Sequence, residues 1–389
     1  MPKILIFTAS YGGGHNSVAK ALSEYFQSRY PKVTVEVVDF MERFVAGDRI
    51  LRALYKQSTK RLPAAYGLFF KVTDKLFTPL ESPQLDGKKP NRHLYHTLWT
   101  TLTGFTNPLG KKILTPPLDK VREFLKESRP DIVLSVYPTA GIVASLLGKE
   151  LGFKTATIIT DFGAHSQWIS PKTDMYFVPT DNLKEFLVSK GIKSSRIKVT
   201  GIPIRSAFSD ISKPAKKHPF TVLLMSGEYG IGKISKLCRQ LIKLPIELIM
   251  VCGNNKRLYR KVSELKKKSR ARNLTIYGFT DQVHKLMARS DLLIGKAGGI
   301  TVSEAMAIGL PIIIYRPIPG QEIFNLDYLV NQGAALYARN RNDAVAKVRF
   351  LSENPSRLKE MKVKTREIGR ADATKKVCAF LLGNFQLKD

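Results

Sequence analysis

The sequence has few cysteines, no long apolar run and no Asp-x-Asp pair, and each shortage excludes a class of protein. Its three cysteines, Cys238, Cys252 and Cys378, lie far apart, so we expect neither a disulfide framework nor a cysteine metal site, as in a reducing compartment. No apolar run approaches the ~20 residues of a transmembrane helix, and the run after Met1 is too short for a signal peptide. Without an Asp-x-Asp pair, no essential divalent metal is expected at a diphosphate.

Acidic residues are also scarce. The chain has 63 Lys and Arg against 32 Asp and Glu, a net charge of +31. Such a charge attracts polyanions, either nucleic acid or an anionic membrane surface, although a generally basic surface is the ordinary alternative. No recognition-helix, RNP, zinc or OB pattern occurs, so a nucleic-acid partner is not expected.

Short apolar, β-rich runs alternate with helical patterns almost throughout the 389 residues, a length that favours two domains. The first series comprises 4–7, 33–38, 132–136, 155–160, 175–178 and 197–200, and the second comprises 221–225, 247–251, 275–277, 292–294, 312–315 and 335–337. This alternation predicts an α/β protein with two doubly wound parallel sheets.

Composition suggests the domain borders. The first domain is predicted over 1–205, and the polar segment 206–219, with two prolines, is predicted to be a linker. The second domain follows over 220–370. The tail 371–389 is predicted to form a helix that packs back across the junction.

One segment, 49–112, departs from the α/β rhythm. It holds twelve Lys and Arg, three acidic residues and eight aromatics, an interleaving typical of an interfacial amphipathic helix. Lys56, Lys60, Phe69 and Phe70 are therefore candidate membrane contacts; the alternative is a helical insertion packed on the sheet. A second basic cluster, 256–272, is expected to be a solvated helix face or a contact with anionic headgroups.

The first motif, Gly12-Gly-Gly-His15, follows the first predicted strand and opens a helix predicted over 16–27. Gly13 and Gly14 let a substrate approach the backbone closely. The helix dipole disfavours a charged imidazole, so a neutral His15 is a candidate general base for a hydroxyl nucleophile; the alternative is a turn cap. A dinucleotide site using Asp39 is a further alternative, but Ser17 replaces the third glycine of that pattern.

A second polar loop, Thr160-Asp-Phe-Gly-Ala-His165, follows the fourth predicted strand. Asp161 is a candidate to orient or assist the base, and His165 to contact the acceptor. Trp168 is expected to stack on a sugar or to lie at a membrane interface. A purely local loop network is the alternative. Arg205 is predicted at the hinge, where its guanidinium would neutralise a diphosphate.

In the second half, Lys296-Ala-Gly-Gly-Ile-Thr301 links a strand to a helix predicted to begin at Thr301 or Val302. Such a helix start presents bare amides to a diphosphate. Glu304, predicted in the first helical turn, would accept hydrogen bonds from two ribose hydroxyls. Ser226-Gly227, Asn254 and Phe279-Thr280 end other strands, and Pro319-Gly-Gln-Glu322 lies one βα unit later.

As an ordered set these motifs resemble the glycolipid synthases, namely the monogalactosyldiacylglycerol synthases and the processive diacylglycerol β-glucosyltransferases. They are more distantly similar to the lipid II glucosaminyltransferase. The resemblance implies a GT-B fold, with two Rossmann-like domains facing across a cleft, and His15 as the catalytic histidine. The expected nucleotide-sugar contacts, from motifs and resemblance together, are Gly13, Gly14, Arg205, Ser226, Gly227, Asn254, Phe279, Thr280, Gly298, Gly299, Ile300, Thr301, Glu304, Gln321 and Glu322.

The resemblance further implies inverting, metal-independent transfer of glucose or galactose from a UDP-sugar to diacylglycerol, in one or several rounds, with no cofactor. The expected location is the cytoplasmic side of the cell membrane, bound peripherally to anionic lipid. The oligomeric state is not predicted. A GT-B enzyme acting on a soluble substrate, such as a UDP-sugar epimerase, is the first alternative, and a basic nucleic-acid-binding protein is the second.

Overall fold

A computed structural model describes residues 1–76, 118–209, 211, 219–227 and 234–385. The part of the predicted insertion beyond residue 76 and the side chains of Lys60 and Phe69 lie outside the described residues. The chain forms two compact units. The first comprises Met1–Pro203 and Ala373–Asp389, and the second comprises Ile204–Asp372.

The first unit is built on a six-stranded parallel sheet in the order β2-β1-β3-β4-β5-β6. Its strands are β1 (Lys3–Thr8), β2 (Thr34–Asp39), β3 (Ile132–Ser135), β4 (Lys154–Ile158), β5 (Met175–Val178) and β6 (Ile197–Val199). Consecutive residues of β1 and β3 are buried, because helices cover both faces of a parallel sheet. Ile4 pairs with Ile132, which fixes the register of the two central strands.

Helices connect these strands. They are α1 (Gly13–Arg29), α2 (Phe40–Phe44), α3 (Asp48–Arg61), α4 (Pro63–Leu76), α5 (Leu118–Ser128), α6 (Pro138–Leu151) and α7 (Asp181–Ser189). Helices α3 and α4 form the described part of the predicted insertion and contact each other.

The second unit repeats the plan with a six-stranded parallel sheet in the order β12-β11-β10-β7-β8-β9. Its strands are β7 (Thr221–Met225), β8 (Glu247–Val251), β9 (Leu274–Tyr277), β10 (Leu292–Gly295), β11 (Ile312–Tyr315) and β12 (Ala335–Ala338). Its helices are α8 (Ile234–Leu241), α9 (Lys256–Ser269), α10 (Val283–Ala288), α11 (Gly299–Ala307), α12 (Gln321–Asn331), α13 (Arg341–Glu353) and α14 (Pro355–Ile368).

The last helix, α15 (Ala373–Asn384), belongs to the first unit, although the chain has by then completed the second. It packs against α1. Its Phe380 ring lies 5.7 Å from the Phe177 ring, and the Lys198 ammonium lies 4.9 Å from the Phe380 centroid.

The border between the units differs slightly from the predicted one. The second unit begins at Ile204, so Arg205 is part of it. Residues Ser206–Phe208, predicted to start a linker, form a 3-10 turn instead. Phe208 is buried, and its ring meets the His284 ring edge-on with 6.0 Å between the centroids. Removal of this aromatic ring from water stabilises the turn. Most of the remaining linker, 210 and 212–218, lies outside the described residues.

The two predicted parallel sheets are confirmed, but two helix starts were predicted too late. Helix α1 begins at Gly13 rather than residue 16, and α11 begins at Gly299 rather than Thr301. Glycine is a poor helix former, so the sequence predicts that both helices begin after their glycines. Glu304 consequently lies in the second turn of α11. None of the described helices combines the length and apolar character needed to cross a membrane.

Candidate active site

Several candidate residues of each unit lie at the switch point of its sheet, where the chain leaves two neighbouring strands in opposite directions. In the first sheet the chain leaves neighbouring strands β1 and β3 in opposite directions, and in the second sheet it does so from β7 and β10. Ligands of doubly wound sheets bind at the carboxyl ends of such strands. His15 and Tyr137 follow β1 and β3, while Gly227 and Lys296 follow β7 and β10.

His15 is the third residue of α1 and lies in an aromatic setting. Its ring meets the Tyr137 ring edge-on at 5.4 Å and lies 6.3 Å from the Trp168 ring. The pKa of His15 is lowered to about 4. The main cause is desolvation by burial, which outweighs the upward shifts from a hydrogen bond with the Val136 backbone and from the charge of Asp39. The imidazole is therefore neutral near pH 7 and able to accept a proton.

The neighbour of the His15 ring on the loop after β4 is a threonine. Thr160 Oγ1 lies 3.4 Å from His15 Nδ1. A hydroxyl at this position can fix the orientation and tautomer of the ring. Asp161 is the next residue and is partly buried. Its predicted role beside the base stays a prediction.

A polar network holds the start of α1. The Thr8 hydroxyl donates to Asn16 Oδ1 at 2.8 Å, and Asn16 Nδ2 donates to Ser10 Oγ at 2.9 Å. Ser10 donates in turn to Asp39 Oδ2 at 2.6 Å. The second Asp39 oxygen accepts the Glu42 N–H at 3.0 Å, which caps α2. Both oxygens thus have partners inside the protein, which weighs against the alternative of a ribose on Asp39.

A row of aromatic rings joins α3 and α4 to this site. Tyr11 stacks on Tyr137 at 5.8 Å and meets Tyr55 of α3 edge-on at 5.7 Å. Tyr55 meets Tyr66 of α4 at 5.7 Å, and Tyr66 lies 6.5 Å from Phe70. Tyr55, Tyr66 and Phe70, aromatic residues in the described part of the predicted insertion, therefore form a row that leads toward the surroundings of His15.

His165 fastens α4 to the loop after β4. Its Nδ1 accepts the Gln167 N–H at 3.1 Å, so Nε2 carries the proton and donates to the Phe70 carbonyl at 3.1 Å. The N–H and hydroxyl of Ser166 both donate to Asp74 Oδ1 at 2.8 Å. Burial lowers the pKa of His165. Both ring nitrogens of His165 form hydrogen bonds within the protein. The predicted contact of His165 with the sugar-accepting substrate stays a prediction.

The apolar residues of α3 and α4 divide into two groups. The Phe70 ring lies 4.6 Å from the His165 ring and is partly buried, and its predicted membrane contact stays a prediction. Among the side chains of α3, α4 and their connection that the structure describes, the large exposed apolar ones are Ile50, Leu54, Leu62 and Leu68. Lys56 is exposed with them. Trp168 is buried beside His15, contrary to the alternative that it lies at a membrane interface, and its predicted stacking on a sugar stays a prediction.

In the second unit Arg205 lies beside Glu304. Its Nη2 is 3.7 Å from Glu304 Oε1, and its Nη1 donates to the Asp281 carbonyl at 3.1 Å. Burial raises the pKa of Glu304 to about 7, and Arg205 opposes this shift. The carboxyl group therefore changes its charge near neutral pH. The predicted contact of Arg205 with a diphosphate stays a prediction.

The start of α11 has a glycine at its N-cap, which leaves room for a ligand to approach the backbone. Its N-cap residue, Gly298, has no side chain, so no side chain caps the first amides of the helix. The preceding turn is held by Asn325, a fully buried residue whose Nδ2 donates to the Ala297 carbonyl at 2.7 Å. Ile300 is buried and Thr301 partly so. A fixed, uncapped helix start suits a phosphate.

Lys296 and Glu322 form an ion pair close to this helix start. Lys296 Nζ is 3.3 Å from Glu322 Oε1, and Glu322 Oε2 accepts the Ile318 N–H at 2.7 Å. Both Glu322 oxygens thus have partners, and its predicted sugar contact stays a prediction, as does that of Gln321. Lys296 opens the predicted glycine-rich motif, but the sequence analysis assigned it no contact, although its place directly after a buried strand was a signal.

The remaining candidates lie on the loops after β7, β8 and β9. Ser226 is buried, and its hydroxyl faces the carbonyls of Gly227 at 3.0 Å and Cys252 at 3.1 Å. Asn254 is exposed. Phe279 is 73% exposed, and Thr280 Oγ1 accepts the Gln282 N–H at 3.2 Å. An exposed ring beside a polar loop can pack against a nucleotide base.

Comparison with known sequences agrees with the motifs. Residues 94–204 match the family described as monogalactosyldiacylglycerol (MGDG) synthase, and residues 212–370 match glycosyl transferases group 1. The chain is 30% identical over 383 residues to a processive diacylglycerol beta-glucosyltransferase of Bacillus mycoides (strain KBAB4), covering 95% of this chain and 91% of that protein. The protein of the same name from Bacillus cereus (strain AH187) is 30% identical over 381 residues, with the same coverage.

Solved structures share the fold. Acinetobacter baumannii MurG aligns with a TM-score of 0.61 at 19% identity, covering 97% of this chain and 99% of that one. A UDP-bound S. aureus MnaA aligns with a TM-score of 0.61 at 15% identity, covering 100% and 98%. These similarities confirm the predicted two-domain GT-B fold. By its sequence, the chain belongs to the family of the processive diacylglycerol β-glucosyltransferases.

Proposed function

We propose that this glycolipid glycosyltransferase moves glucose or galactose from a UDP-sugar to the hydroxyl of 1,2-diacylglycerol. The observation that carries the proposal is the neutral His15 at the switch point of the first sheet. The second unit supplies a helix start suited to a diphosphate and a carboxyl group suited to a ribose. Family membership supports the same reaction class.

In the proposed reaction, His15 accepts the proton of the diacylglycerol hydroxyl while its oxygen attacks the anomeric carbon. The bond from that carbon to the diphosphate oxygen breaks, and its electron pair leaves with UDP. Attack on the face opposite the leaving group inverts the anomeric configuration. Because the sequence has no Asp-x-Asp pair, cationic side chains and the helix dipole are proposed to stabilise UDP instead of a metal.

The donor sugar is tested by incubating the protein with diacylglycerol vesicles and each UDP-hexose, in the presence of EDTA. Mass spectrometry of the lipids is expected to show hexosyl-diacylglycerol with one of the two donors, and further hexoses if transfer is processive. Conversion of the UDP-sugar into its epimer without a lipid product would favour the soluble-substrate alternative. Dependence on an added metal would contradict the metal-free reaction.

We further propose that the enzyme binds peripherally to the cytoplasmic face of an anionic membrane, through the exposed aliphatic residues Ile50, Leu54, Leu62 and Leu68. Aliphatic side chains insert shallowly, and each nearby Lys or Arg adds attraction of about 1 kcal/mol at an anionic surface. Replacing all four with serine is expected to weaken vesicle binding. It should lower the rate on vesicle-borne diacylglycerol more than on a short-chain soluble analogue.

Phe350 and Val363 provide the control for this prediction, because they are exposed apolar residues of the second unit. Their replacement with serine is expected to leave vesicle binding unchanged. Equal rate losses on both acceptors would contradict the docking role of the four aliphatic residues, as would equal affinity of the wild type for neutral and anionic vesicles.

Donor affinity is expected to depend on pH through Glu304, whose pKa is raised to about 7 by burial. The ionised carboxylate is the better acceptor for ribose hydroxyls, and its population falls about tenfold from pH 8 to pH 6 at that pKa. Affinity should therefore fall by up to about tenfold over this range. Calorimetry with a UDP-hexose, which has no titrating phosphate there, measures it. A Glu304→Gln variant should show a flat profile; a pH-dependent variant would contradict the assignment.

A further inference from the structure

We propose that Lys296 binds the diphosphate of the nucleotide-sugar donor, and that Glu322 positions its ammonium for this contact. The inference rests on the proposed UDP-sugar donor and adds to it a binding role for Lys296, the first residue of the glycine-rich motif, which the sequence alone did not assign. It starts from the placement of Lys296 directly after β10, one of the two strands at the switch point of the second sheet.

Lys296 directly follows β10, and its side chain extends over the end of β7. A Cβ atom on Gly227, the second residue after β7, would lie 2.7 Å from Lys296 Cε. The aliphatic stem thus occupies the space that any side chain at Gly227 would need. Gly227 also has a φ of 67°, which favours glycine. The backbone after β7 is therefore shaped to admit the lysine.

The ammonium is held in this position from the other side. Glu322 is only 4% exposed, and its two oxygens face Lys296 Nζ at 3.3 Å and the Ile318 N–H at 2.7 Å. A Cβ atom on Gly298, the N-cap of α11, would lie 3.9 Å from the same Glu322 oxygen that faces Lys296. The ammonium is consequently anchored close to the uncapped amides of α11.

This arrangement suits a diphosphate for two reasons. An ammonium has three N–H donors, so one can stay on Glu322 while the others contact phosphate oxygens. In a partly buried site a positioned cation interacts more strongly with an anion than it would in water. The diphosphate gains one negative charge when its bond to the sugar breaks. Lys296 would thus support both donor binding and departure of UDP.

The test compares the affinities of UDP and uridine, which differ by the diphosphate. Lys296→Met is expected to raise the Kd for UDP by roughly 10- to 100-fold, the range of a lost charge-assisted hydrogen bond, while the Kd for uridine changes less than about twofold. Lys296→Arg should keep part of the UDP affinity because it keeps the charge. Glu322→Gln should weaken UDP binding less than Lys296→Met does.

Lys362 gives a matched control. Its Nζ lies 2.8 Å from Asp291 Oδ1, so it is another partly buried lysine paired with an acid, but at the opposite end of β10. Lys362→Met should leave both affinities unchanged. If Lys296→Met does not fold because Glu322 loses its partner, Lys296→Met with Glu322→Gln removes both charges and carries the same test.

The outcomes separate the two proposals. Equal loss of UDP and uridine affinity in the Lys296 variants would overturn the diphosphate contact, because a structural role moves both. Unchanged UDP affinity would overturn it as well. If the wild-type protein itself binds neither UDP nor a UDP-sugar, the proposed donor fails and the inference fails with it.

Discussion

Replacing His15 with alanine is expected to lower the rate of sugar transfer by roughly 10²- to 10⁴-fold, the usual cost of losing a general base. The ring is neutral at physiological pH because desolvation lowers its pKa to about 4. Its loss should leave the Kd for UDP within a few-fold, since His15 is proposed to serve the acceptor hydroxyl. Single-turnover rates with saturating UDP-sugar measure the effect, and calorimetry with UDP gives the affinity.

Thr160→Val is the companion variant, because it removes the hydroxyl that lies 3.4 Å from His15 Nδ1. Its effect on the rate should be smaller than that of His15→Ala, since the base is kept and only its orientation is loosened. Turnover of His15→Ala at the wild-type rate would show that His15 merely caps the turn. The role of base would then move to Asp161.

Replacing Glu304 with alanine is expected to weaken binding of UDP and of uridine by roughly 10- to 150-fold. The ribose would lose charge-assisted hydrogen bonds worth about 1.5–3 kcal/mol. Both ligands carry the ribose, so both should lose affinity, which distinguishes this variant from one at a diphosphate contact. Calorimetry at pH 8, where the carboxyl group is mostly ionised, gives the largest difference.

Glu264 on α9 supplies the control for Glu304, because it is an exposed acid of the same unit. Glu264→Ala should bind both ligands like the wild type. Unchanged affinities in Glu304→Ala would mean that Glu304 serves only as the partner of Arg205, 3.7 Å away. The ribose would then need another acceptor.

The two sheets were predictable because strands of a parallel sheet are buried on both faces and appear as short apolar runs. Strands such as β3 and β10 consist entirely of buried residues, so they stand out against the helices. Helix starts were less predictable. At Gly13 and Gly299 the local preference of glycine opposes the helix, and only tertiary packing overrides it.

The site was predictable in its motifs but not in its side-chain partners. His15 and Glu304 follow from position, since they lie after strands at the carboxyl edge of each sheet. The edge-on contact of Tyr137 with His15 and the pair of Lys296 with Glu322 join residues far apart in sequence. No local pattern encodes such contacts. The contact of the Phe70 ring with His165 likewise joins residues 95 positions apart.

The central claim is tested most directly by measuring hexose transferred to lipid and UDP released in the same reaction, using labelled UDP-hexose and diacylglycerol in anionic vesicles. We expect one UDP for each hexose recovered in lipid, and almost none of either product without diacylglycerol or with His15→Ala. UDP-hexose consumption that is the same with and without diacylglycerol, with no label in lipid, would contradict the account.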